Sequence, residues 1–288
     1  MPPLTSSDLV ASWWTIAGCG PGAHARWSIP QRAEAAARAG FAGIGLRNDD
    51  YTIARESGLS DAAIAAAIRD NRLVLDEIEF VTGWSSDDAA QQERGRGVEQ
   101  DLYALADAVG ARQLNVGSIE PLGSLPPVDA VVQRFAGLCE RAAAHGLQVA
   151  LEFMPWTGIP GAALAWEIVR RAGAPNGGVL VDTWHYFRGA ADPAQLRAIP
   201  VDRIFGVQIN DAGREVVGSL RDDSVHRRRL PGEGVFDLTG FVRLVSELGV
   251  AAPYAIEVIS DEQAALPLDE AARRAFETTT AVLNRAES

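Results

Sequence analysis

A single pattern recurs from one end of this chain to the other: a short apolar segment, a turn, then an Ala- and Arg-rich amphipathic stretch. Eight apolar segments fit it, at Trp13–Gly18, Gly43–Leu46, Val74–Val81, Gln113–Gly117, Gln148–Phe153, Gly178–Thr183, Phe205–Asn210 and Tyr254–Val258. They read as near-continuous apolar runs, as strands do when both faces of a parallel sheet are covered. Between them fall helical patterns at Pro30–Ala39, Asp61–Asp70, Val98–Val109, Ala130–His145, Ala162–Ala172, Leu238–Leu248 and Asp269–Asn284, with a short, weak sixth connection at Pro193–Arg197. Glycine turns follow the helices at 39–43, 109–111, 145–147 and 248–250, where a left-handed residue stops the helix. Alternation of this kind makes βαβ units. Eight units in 288 residues give one parallel (β/α)₈ TIM barrel, a closed eight-stranded sheet, as a single domain over 1–288. An open doubly wound sheet competes, but no GxGxxG follows the first strand. The longest irregular stretch, Asp211–Phe236, is expected to carry an active-site loop.

Composition removes several function classes. A net charge of −12 opposes binding to nucleic acid or to an anionic membrane surface, since both need clustered Lys and Arg. Two cysteines, Cys19 and Cys139, without a CxxC pair, support neither a disulfide framework nor a thiolate zinc site. No signal peptide and no run of about 20 apolar residues is seen. The expected location is cytoplasmic.

In such a barrel chemistry gathers at the C-terminal ends of the strands. The fifth strand ends on Glu152. The sixth presents Asp182 and, three residues on, His185; the seventh Gln208, Asn210 and Asp211; the eighth Glu257. A charge in an apolar strand must be paired or bound to metal. Taken alone, each is as well explained by a salt bridge or a structural amide. Together, Glu152, Asp182, Gln208 and Glu257 point from four consecutive strands at one place. Three carboxylates that close would raise one another's pKa unless a cation neutralised them. An oxygen-rich set suits Mn²⁺ or Mg²⁺ better than zinc. His185 belongs on the rim, where it can donate to a substrate oxygen. Trp14, Trp84, Trp156 and Trp184 fall near strand ends and read equally well as core or as an apolar pocket wall. Arg47, Glu79 and His24 are further strand-end residues that read first as structural, and Glu233 reads as a loop brace.

These strand ends, with Ala-Gly-Phe-Ala-Gly-Ile-Gly-Leu at 39–46, Asp-Thr-Trp-His at 182–185 and Leu-Pro-Gly-Glu-Gly-Val-Phe-Asp-Leu at 230–238, resemble the xylose isomerase-like barrel superfamily, of the sugar phosphate isomerase/epimerase type. The resemblance implies a metal held by Glu152, Asp182 and Glu257, with Gln208 standing where the family has His. It also implies substrate binding by His185 and by Arg214 in the loop after the seventh strand, with Trp156 and Trp184 at the pocket. The extra loop Glu of the ketose epimerases is missing from Met154–Gly158. The implied activity is a metal-dependent isomerase or epimerase of a sugar, keto-sugar or cyclitol. Glu152 and Glu257 would move protons alpha to a carbonyl. The alternatives are a lyase or dehydratase acting on an inosose, 3-dehydroshikimate or a 3-oxo-glycoside, and a noncatalytic subunit of an assembly. The implied partner is a small polyol or keto-sugar, and pairing into a homo-oligomer is a further implication.

Overall fold

The structure is a computed structural model that describes residues 4–189 and 191–288. Eight parallel strands close into a barrel: β1 (Leu9–Ala11), β2 (Gly43–Arg47), β3 (Val74–Val81), β4 (Ala111–Gly117), β5 (Gln148–Glu152), β6 (Gly177–Asp182), β7 (Ile204–Ile209) and β8 (Tyr254–Ile256). Closure is made by β1, which pairs Leu9 with Tyr254 on one side and Val10 with Gly43 on the other. None of the described helices is long and apolar enough to cross a membrane.

The helical patterns become an outer ring. The helix Ile29–Ala39 starts on a capping box in which Ser28 accepts from the Gln31 N–H and Gln31 Oε1 accepts from the Ser28 N–H. The glycine stops hold as well. Gly40, Gly110, Gly146 and Gly249 all have positive φ, a conformation that only glycine adopts freely.

Several boundaries differ from the sequence reading: the helix expected at Val98–Val109 begins at Ala89, a further helix spans Asn48–Glu56, and the first strand is displaced. Trp13–Ala17 is a short helix, not the first strand, which is Leu9–Ala11. A short apolar run does not reveal its own period, so strand and helix look alike there. Gly18, in the left-handed conformation, ends the helix. The stretch Asp211–Phe236 also has more structure than expected: a two-residue ribbon pairs Asp211–Ala212 with Arg228–Arg229, and a helix spans Leu220–His226.

The apolar core lies between strands and helices. A smaller cluster of Ala150, Leu180 and Phe205 fills the barrel's own lumen. Above it the lumen turns polar. Gln113 donates to Asn115 Oδ1 at 2.7 Å, and Asn115 donates to Glu77 Oε2 at 2.9 Å. Gly206 makes room for this layer, since a Cβ there would stand 2.7 Å from Gln113 Nε2.

The N-terminal end of the barrel is tied by Arg112. Its guanidinium donates to both oxygens of Asp76 at 2.6 and 2.8 Å, to Gln148 Oε1 at 3.1 Å and to the Phe205 carbonyl at 2.9 Å. Asp76 is buried, so removing the arginine strands a desolvated charge. Arg112→Met is expected to cost about 3–5 kcal/mol in urea unfolding, and adding Asp76→Asn should return most of it. A loss below about 1 kcal/mol would contradict this account of the barrel floor.

Candidate active site and cation site

Four strand ends bring the predicted polar residues together at the C-terminal face, where Glu152 and Glu257 line a cleft and Asp182 and Gln208 are bonded to its residues Arg228 and Glu257. Glu152, Asp182, Gln208 and Glu257 are all buried. Register fixes their neighbours, with Asp182 opposite Gln208 on β7 and Gly117 opposite Glu152 on β5. The turn after β6 is built by Asp182 itself. Its Oδ1 accepts from the His185 N–H at 3.1 Å and caps the helix Thr183–Arg188. That cap carries His185 back over the barrel mouth, where its Nε2 lies 2.9 Å from Glu152 Oε1.

A residue that the sequence reading did not single out stands in the middle. Arg228 is buried. Its Nη1 donates to Asp182 Oδ2 and Glu257 Oε2, both at 2.8 Å, and its Nη2 lies 3.4 Å from His185 Nε2. Ser224 steadies the guanidinium, with its carbonyl 2.9 Å from Nε and its Oγ 3.0 Å from Nη2. The only sequence signal was indirect: converging carboxylates require a cation, and the loop carries a run of three arginines, Arg227–Arg229.

Asp211 folds that loop back onto the cleft. Its carboxylate accepts from the N–H groups of Gly232, Gly234 and Phe236 at 3.0–3.1 Å. A Cβ at Gly234 would collide with the Asp211 carboxylate, which accounts for the second glycine of Pro-Gly-Glu-Gly. Glu233 points away to Arg274 at 3.0 Å, as a loop brace.

Arg214 is not brought to the cleft. Its side chain is exposed, and its carbonyl accepts from Arg188 at 3.2 Å. A loop residue's reach cannot be read from strand spacing, and the guanidinium at the site is Arg228. Trp184 is also displaced from its expected place. It is fully buried behind His185 and Trp156, with ring centroids 5.6 Å from each. Trp14 and Trp156 do line the cleft, whereas Trp84 is core and donates to the Gly117 carbonyl at 2.9 Å. Arg47 and Glu79 line the cleft too, while His24 is exposed and bound to Asp49 at 2.8 Å.

Burial dominates the electrostatics. It pushes the Glu152 carboxyl up to about 8, with the Asp182 charge adding and Arg228 opposing. It raises Glu257 well above the carboxylate range despite Arg228. It also raises Glu77 to about 7. Asp182 is the exception: Arg228, His185 and Asn210 outweigh burial and hold it low. Burial drives His185 down to about 3, so its imidazole is neutral. The contact between His185 and Glu152 is therefore a hydrogen bond sharing one proton rather than an ion pair.

The donor set fits a divalent ion. Ligand atoms of Glu152, Asp182 and His185 lie within 4.8 Å of one another. Donors on one ion at about 2.1 Å stand up to roughly 4.2 Å apart, so a small contraction suffices. Gln208 Oε1 and His185 Nδ1 are buried without partners. Gln208 now donates to Glu257 Oε1 at 3.2 Å. Turned over, its amide oxygen would face that carboxylate, which a cation between them would make favourable.

The cleft has a volume of about 310 Å³. A larger depression of about 1070 Å³ lies at the opposite end of the barrel, but its Glu247 and Glu287 are solvent-facing and carry no desolvated chemistry.

A family model described as a xylose isomerase-like TIM barrel matches residues 33–281. The chain belongs to that family. A curated relative, the 3-dehydroshikimate dehydratase of Pseudomonas aeruginosa, is 29% identical over 243 residues, covering 83% of this chain and 37% of the relative. The chain thus spans well under half the length of that relative. An inosose isomerase of Halalkalibacterium halodurans is 29% identical over 150 residues, covering 51% of this chain and 52% of the relative. Among solved structures, an IOLI protein with a bound zinc atom superposes with a TM-score of 0.84 at 18% identity, covering 96% of this chain and 98% of that one. This last likeness is one of fold.

Because Asp182 and Glu257 share Arg228, the arginine should carry much of the site's stability. Arg228→Met is expected to lower stability by about 3–5 kcal/mol, or roughly 6–20 °C in melting temperature for a chain of this size. Adding Glu257→Gln should recover part of the loss in a thermal melt. An unchanged melting temperature in Arg228→Met would show that the carboxyls need no cation from this loop.

Proposed function

We propose that this cleft removes a proton alpha to the carbonyl of a compact polyhydroxylated ring and then expels a β-hydroxyl, making the chain a dehydratase. The observation that carries this reading is the proton-sharing pair of His185 and Glu152, at 2.9 Å, set beside the cation-bound Asp182 and Glu257. Its wider support is the match to a 3-dehydroshikimate dehydratase over 83% of this chain.

Glu152, Asp182, Gln208 and Glu257 would hold Mn²⁺ or Mg²⁺, with His185 within reach of the same ion. When bound, the ion supplies Lewis acidity at the substrate carbonyl. With the ion in place of its proton, Glu152 is able to accept the alpha proton at its carboxylate. The C–H electrons become the new double bond as the β C–O bond breaks, and the accepted proton passes from Glu152 through His185 Nε2, 2.9 Å away, to the departing hydroxyl, which leaves as water. Arg228 holds positive charge where negative charge grows on the substrate oxygen. Trp156 forms one wall, stacked edge-on against His185 with ring centroids 5.1 Å apart, and helps exclude water.

The isomerase reading keeps the first step. It needs Glu257 to return the proton from another direction, and Glu257 does line the same cleft. It is less favoured because Arg228 and Gln208 both hold the Glu257 carboxylate.

The test is turnover with Mg²⁺ or Mn²⁺ of 3-dehydroshikimate, which on losing water becomes an aromatic dihydroxybenzoate visible by ultraviolet absorbance, beside an inosose in deuterated water. We expect water loss, with kcat/KM about 10²–10⁴-fold lower in Glu152→Gln and His185→Asn. Deuterium incorporation into the inosose without water loss would replace the dehydratase with the isomerase. Neither reaction with either compound would overturn the proposal.

A further inference from the structure

The proton-transfer groups occupy one wall of the cleft. The opposite wall, at the ends of β2 and β3, is polar as well, and the chemistry above does not use it. There Arg47 closes β2, and its own N–H donates to Asp50 Oδ2 at 3.0 Å. Its guanidinium carbon lies 4.3 Å from the Trp13 ring centroid and 5.1 Å from that of Trp14. The two indoles fix the plane of the guanidinium, so that little rotamer freedom remains to be lost on binding.

Nη1 of this arginine is buried and has no hydrogen-bond partner. The nearest acid, Asp49, stands 3.8 Å from Nε, beyond hydrogen-bond distance, and its other oxygen is bound by His24 at 2.8 Å. An unmade hydrogen bond from a desolvated guanidinium is costly, and the side chain lines a cleft. Beside it, Glu79 Oε1 is likewise buried without a partner, in a residue 2% exposed. Two orphaned polar atoms on residues that line one cavity mark a place where a ligand can complete the bonding.

We infer that Arg47 is a substrate-binding residue that receives a carboxylate carried by the ring, with Glu79 beside it. The preferred substrate is then a keto-ring acid rather than a neutral sugar or cyclitol. A guanidinium presents two parallel N–H groups, which match the flat fork of a carboxylate. A phosphate dianion suits the place less well, because one guanidinium fork would have to offset two charges. The cleft volume of about 310 Å³ admits one substituted ring, reaching from the Glu152–His185 pair on one side to Arg47 on the other. This inference rests on the dehydratase reading and gives it a substrate class.

The test is calorimetric binding of shikimate, its methyl ester and inorganic phosphate to the whole chain with Mg²⁺ present, for the parent, Arg47→Met and Arg47→Lys. Turnover of 3-dehydroshikimate by the parent is followed in parallel. The parent should prefer the acid to the ester by about 10- to 100-fold. Arg47→Met should erase that preference, weakening the acid at least about 10-fold more than the ester. Arg47→Lys should fall between, keeping the charge without the fork. Equal weakening of acid and ester in Arg47→Met, or an undiminished preference for the acid, would overturn the inference. If the parent still turns over 3-dehydroshikimate in that case, the dehydratase reading stands without it. Phosphate binding that competes with shikimate and is lost in Arg47→Met would overturn the carboxylate assignment in favour of a phosphorylated substrate. A parent that binds neither acid nor ester and turns over no 3-dehydroshikimate would remove both.

Discussion

The mouth of this barrel depends on one buried cation. Glu152, Asp182 and Glu257 arrive at the same place from β5, β6 and β8, and burial alone would drive protons onto all three. Arg228, reaching in from the loop after β7, bonds two of them at 2.8 Å and holds Asp182 ionised. A folded site with this many carboxyls is tenable because the arginine is there. The loop that brings it is in turn tied down by the Asp211 carboxylate on three backbone N–H groups. The chain of cause runs from the glycines at 232 and 234, through Asp211, to Arg228 and then to the ionisation of the site.

That arrangement separates the carboxyls by role. Asp182 stays charged and suits a permanent ligand. Glu152, pushed up to about 8 and bonded to a neutral histidine, suits proton transfer near neutral pH. Glu257 is held between Arg228 and Gln208. Such asymmetry fits elimination, which needs one mobile proton on one wall, better than epimerisation, which needs two walls of equal freedom. Barrels of this kind keep the scaffold and vary the mouth, so the chemistry is set by the residues at these strand ends.

Much of this is legible in the amino-acid sequence. The polar endings of β5 to β8 stand out because each interrupts an apolar run, and four such interruptions in a row on strands buried on both faces require partners, whether an arginine or a metal ion. The glycine stops were readable for the same kind of reason. The first strand was not, because Leu9–Ala11 is three residues long and the more apolar Trp13–Ala17 beside it takes the helical form. Arg228 was hidden because a loop has no period: Arg214, in the same loop after β7, is exposed to solvent. Trp184 shows the converse limit. It sits beside a site residue in sequence, but the short helix after β6 turns it into the core. Arg47 and Glu79 end their strands as the others do, and only the cleft geometry shows that their polar atoms lack partners.

The central claim is that these carboxyls, with Arg228 among them, accept a divalent cation. The most direct measurement is Mn²⁺ binding to the purified chain, by calorimetry and by elemental analysis after loading, for the parent and for Glu152→Gln and Glu257→Gln. About one ion per chain, weakened or lost in both variants, is the expected result. No Mn²⁺, Mg²⁺ or Zn²⁺ bound by the parent under any loading condition would contradict it. The cluster would then be a buried ion network served by Arg228 alone.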